Sequence, residues 1–69
     1  MINLMNLLDV ITTEEPIEVI DLANPTDAIN PRKGEVLLYP FEEYEVRTIY
    51  SSVDAHRESY ILIGVRRWK

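Results

Sequence analysis

The chain has no cysteine in its 69 residues, which closes off both disulfides and thiolate metal sites. Its single histidine argues against a closed zinc site, since such sites draw on several His or Cys ligands. Only two glycines are present, with no Gly-rich phosphate loop. No apolar run approaches the roughly eighteen residues of a membrane span. Basic charge is also in short supply. Seven Lys and Arg face twelve Asp and Glu, a net charge of −5. That balance argues against direct nucleic-acid binding, where neutralising phosphates is the main attraction. An acidic surface suits basic protein surfaces instead.

The beginning, "MINLMNLLDVITTEEP", lacks a basic n-region and a small-residue cleavage site, so it does not read as a signal peptide. "NPT" at Asn24 is not a glycosylation acceptor, because proline holds the middle position. The expected location is the cytoplasm.

What is present is a globular composition, 46% apolar and 28% charged. A core this small rarely yields more than about 3–5 kcal/mol of net stability without disulfides, metals or a second chain. A homo-oligomer is therefore one expectation, alongside an unusually good core.

Leu4, Leu7, Leu8 and Ile11 recur at helical spacing, with Asn3 as N-cap, so a helix is expected over about residues 3–13. Pro16 ends it. Strands are expected over about 17–22, 35–39, 45–53 and 59–67, with a loop over about 23–34 that holds two Asn-Pro pairs. "PTDAIN" within that loop suits one helical turn with Ile29 tucked inward, and "PFEEY" suits another, with Pro40 at its first position. The last two strands form an antiparallel hairpin. The expected class is α+β in a single domain, 1–69: an N-terminal helix packed on a small, mainly antiparallel sheet of three to four strands.

The order "NLLDVI…PIEVIDL…GEVLLYPFEEYEVRTIYSS…YILIGVR" resembles a group of short proteins from phages and prophages of Gram-positive bacteria. The resemblance implies a helix, a strand, a helical turn and a closing hairpin. It implies a phage context rather than an activity, and with it the cytoplasm of a bacterial host cell.

Between Tyr39 and Tyr50 lie three of the four tyrosines and the only phenylalanine. Large aromatics supply much of a small core, and tyrosine also suits interfaces. Phe41 is expected inside, with Tyr39 and Tyr44 at least partly outside. Tyr39, Glu42, Glu43 and Tyr44 are the candidate partner-binding set. The glutamates read either as a solvated face or as a charge mimic of nucleic acid. At the end, "VRRWK" gathers cations around the only tryptophan. It reads as an edge strand protected by cations, or as anion or oligomer contacts made by Arg66, Arg67 and Trp68, joined by Arg47 or Arg57. Asp54, His56 and Glu58 alternate, a ligand-like spacing if they lay on a strand, but they are expected in a solvated loop.

No catalytic constellation emerges, so an enzyme is not expected, and neither is a cofactor. The leading expectation is a small acidic interaction module that inhibits or modulates a host protein, an anti-CRISPR or other anti-defence inhibitor being one concrete form. Two alternatives stand beside it: a homo-oligomeric binder of a nucleotide or other small anion, and a structural accessory protein.

Overall fold

A computed structural model describes residues 1–69. Helix α1 spans Leu4–Val10, followed by strands β1 (Ile17–Asp21), β2 (Tyr44–Val53) and β3 (Ser59–Arg67). Single 3₁₀ turns lie at Pro31–Lys33 and Phe41–Glu43. The result is one helix on a three-stranded mixed sheet of order β1-β3-β2. β2 and β3 form the expected antiparallel hairpin, while β1 runs parallel to β3, with Ile17 beside Ile61 and Asp21 beside Val65.

Asn3 caps α1 as expected, its side chain accepting from the Asn6 amide at 2.8 Å. The helix stops at Val10, short of the expected boundary, because Ile11 turns extended. Val10-Ile11-Thr12-Thr13 is a β-branched run of low helix propensity with no glycine to cap it. Arg32 then holds the linker to β1. Its guanidinium donates to the carbonyl of Glu15 at 2.8 Å and to that of Thr13.

β1 and β3 turn alternate residues inward. Leu4, Ile17, Val19, Tyr44, Ile63 and Val65 form the fully buried core, with Leu7, Leu8, Phe41 and Val46 among the residues packed around it. The other sheet face carries Ile20, Leu62 and Gly64, and no helix covers it. Gly64 admits close approach there: a Cβ would lie 2.5 Å from Thr48 Cγ2 and 3.1 Å from Leu22 Cδ2.

The expected strand at 35–39 does not form. Each edge strand instead carries one isolated bridge to another segment: Ile29 exchanges backbone hydrogen bonds with Val19 on the outer side of β1, and Ile2 accepts from the Val46 amide near the start of β2. Glu35–Pro40 runs as irregular chain. Nor does "PTDAIN" form a helical turn. The turn comes later, at Pro31–Lys33, capped by Asn30 and ended by Gly34 in the left-handed region. Ile29 is half-buried, as expected. The "PFEEY" turn forms with Pro40 as its N-cap rather than its first residue.

Candidate functional site

Because Glu35–Pro40 has no strand partner, its alternate side chains face solvent rather than a sheet neighbour. Val36 is 74% exposed and Leu38 86%. Beside this segment, a cleft of about 360 Å³ opens between it and α1, lined by Met5, Val36, Leu38, Tyr39, Phe41 and Glu42 among others. Two of the candidate partner residues, Tyr39 and Glu42, thus lie on an apolar cleft.

The end of β3 fixes this region from behind. Arg67 pairs with Glu43 at 3.2 Å, and its guanidinium carbon lies 3.5 Å from the Tyr39 ring centroid. Trp68 donates from Nε1 to the Glu42 carbonyl at 2.9 Å and from its backbone amide to the Glu43 carbonyl at 3.0 Å. The 3₁₀ turn carrying Glu42 and Glu43 is therefore clasped by the residues just before the C-terminus. Glu43 serves this clasp.

One expectation about the aromatics is reversed, that for Tyr44, and one is met in part, since Phe41 packs against the core. Tyr44 is fully buried, and Phe41 is only half-buried. Tyr44 opens β2 on its core side, opposite Arg67, so its ring enters the core rather than an exposed tyrosine patch. Its ring centroid lies 6.4 Å from that of Tyr39. The Tyr44 hydroxyl has no hydrogen-bond partner. Burial raises the pKa of this phenol above its ordinary value. The Tyr39 backbone opposes the shift, Asp21 adds to it, and Arg67 also opposes it.

The cationic candidates divide. Arg47, Arg66, Arg67 and Trp68 line one groove of about 350 Å³, together with Glu45 and Ala23. Arg47 enters it at the β-bulge between Val46 and Thr48, where it pairs with Glu45 at 2.6 Å. Arg66 has no carboxylate partner. Arg57 lies far along the hairpin, in its turn, with φ at 61°. β3 is the central strand, so its cations do not guard a sheet edge. Asp54, His56 and Glu58 lie in that same exposed hairpin turn, where the Asp54 carboxylate accepts from the amides of His56 and Glu58 at 2.8 and 3.0 Å.

Val36, Leu38 and Met5 were not among the sequence candidates. "EVLLYP" carries a strand signal, but it pairs with no strand and is displayed as a loop. Comparison with known protein families, curated proteins and solved structures finds no match for the chain.

Proposed function

We propose that the protein is a small interaction module of phage origin that binds and modulates a protein of its bacterial host. One observation above all supports this reading: six large apolar side chains are fully buried, while twelve are exposed. The two most accessible of the loop, Val36 and Leu38, adjoin the apolar cleft that also carries Tyr39 and Glu42. Burying a Val or Leu side chain contributes about 1.5–3 kcal/mol before the cost of association, so these two serve as anchors of a larger contact. The net charge of −5 favours a basic rim on the partner.

The test is affinity capture from a Gram-positive lysate with the wild type and a Val36→Ser/Leu38→Ser variant, read by native mass spectrometry. The expected result is one stoichiometric host protein that the variant loses while its circular dichroism is unchanged. Equal retention by both forms contradicts the reading.

The homo-oligomeric anion binder is favoured by a different observation, the unpaired Arg66 in the groove with Arg47 and Trp68. Recovery of only multiples of the 8.1 kDa chain carrying an anion, lost on Arg66→Glu, selects that reading instead.

A further inference from the structure

A second cleft, of about 370 Å³, lies against the same Val36–Leu38 segment but contains none of the α1 residues. Its polar lining comes from Asp21, Asn24, Asp27 and Tyr44, and its apolar lining includes Ile29 and Leu37. Neither lysine nor arginine lines it.

Carboxylate, amide and phenol oxygens make up the polar part of this mostly apolar lining. Asp21 ends β1, where Oδ1 accepts from the Ala23 amide at 3.0 Å, leaving its second oxygen free. The turn continues with the Asn24 amide donating to the Asp21 carbonyl at 3.0 Å, which holds both side chains at one end of the strand. Asn24 Oδ1 accepts from the Thr26 hydroxyl at 3.2 Å. Asp27 is exposed and makes no ion pair.

Tyr44 supplies an independent observation. The residue is fully buried, it lines this cleft, and its hydroxyl lacks any partner. Leaving a buried polar group unsatisfied costs about 1–3 kcal/mol, so an oxygen kept that way invites a ligand that completes it. The nearby Asp21 charge acts on this same phenol.

We propose that this cleft binds a primary alkylammonium group, with Asp21 and Asp27 neutralising the charge, Tyr44 accepting one N–H, and Ile29 and Leu37 packing on the alkyl chain. An ammonium carries three donors and no acceptor, which matches the carboxylate and phenol oxygens of a lining that holds no lysine or arginine, the Arg67 charge reaching Tyr44 from outside it. A divalent metal fits less well: Ca²⁺ needs about six to eight oxygens, and the cleft brings two carboxylates and an aliphatic wall. The group comes either from a free amine or from a lysine side chain. The site needs no partner protein, so it stands or falls separately from the interaction reading.

The experiment is a ¹⁵N-HSQC titration of the full chain with n-pentylammonium chloride, using 1-pentanol as the neutral isostere. Saturable shifts are expected in residues 21–29 and 36–44, absent with the alcohol. Asp21→Asn, which keeps the acceptor for Ala23, is expected to weaken binding at least tenfold. Asp27→Asn, a change at an exposed position, is expected to weaken it severalfold. Tyr44→Phe is expected to weaken binding while raising the thermal midpoint. Parallel titrations with 1,5-diaminopentane and Nα-acetyl-lysine methylamide assign the source by which binds more tightly. Absence of saturable shifts, equal shifts with pentanol, or undiminished binding in both Asp variants overturns the proposal.

Discussion

The Arg67 guanidinium stacks on the Tyr39 ring, its central carbon 3.5 Å from the ring centroid, while one nitrogen reaches Glu43 at 3.2 Å. One side chain thus ties the end of β3 to both the displayed loop and the 3₁₀ turn. A planar guanidinium serves both contacts at once, which a lysine ammonium does not.

Arg67→Ala is accordingly expected to destabilise the fold by about 1 kcal/mol, the size of a partly exposed cation–π contact with a weak ion pair. Arg67→Lys is expected to recover less than half of this. Urea unfolding of the three proteins measures both.

Gly64 is where the sheet tolerates no side chain. An added methyl would meet Thr48 Cγ2 at 2.5 Å, with Leu22 closing the other side. Gly64→Ala is expected to cost about 1–3 kcal/mol through overpacking. Pairing it with Thr48→Ser, which removes the clashing methyl, is expected to restore part of the loss in thermal unfolding.

In the hairpin turn, Arg57 holds φ at 61°, a left-handed conformation that glycine adopts without penalty. Arg57→Gly is expected to raise stability by about 0.5–1 kcal/mol, after its entropic cost in the unfolded chain. An unchanged or lower midpoint in chemical denaturation would count against a strained turn.

Tyr44 gives the fold an alkaline limit. Burial holds its folded-state pKa above the ordinary phenol value of about 10, so the unfolded chain ionises first. The resulting stability is fully present below about pH 10 and is lost as pH rises through the folded value. Tyr44→Phe removes that part of the pH dependence. It also removes an unpartnered hydroxyl, for an expected gain of about 1 kcal/mol at neutral pH. Unfolding followed from pH 7 to 11 checks the sign.

The contrast between Leu4 and Leu38 shows what could be read in the sequence. Leu4 belongs to a spacing that only a helix satisfies, and Asn3 marks its start, so the helix and its buried side follow from local pattern. Ile17, Val19, Ile63 and Val65 likewise alternate, and the strands they lie on were legible. Leu38 sits in an equally strand-like stretch, yet pairing is a tertiary matter, and the edge strands bond to Ile2 and Ile29 instead. Tyr44 was misplaced for a related reason. Its expected place was the helical turn ahead of a strand starting at 45, whereas pairing with Arg67 extends β2 back to Tyr44 and turns its ring into the core. The Asp21–Asp27 cleft was equally hidden, since the tyrosine that completes it arrives from another strand.

The proposed host-protein contact at Val36–Leu38 is checked by placing the photo-crosslinker p-benzoylphenylalanine at Leu38 and, as a control, at Val10, an exposed apolar position elsewhere. Irradiation inside Gram-positive cells is predicted to yield one discrete adduct with a host protein from position 38 and none from position 10. Adducts that are absent, or the same from both positions, would contradict it.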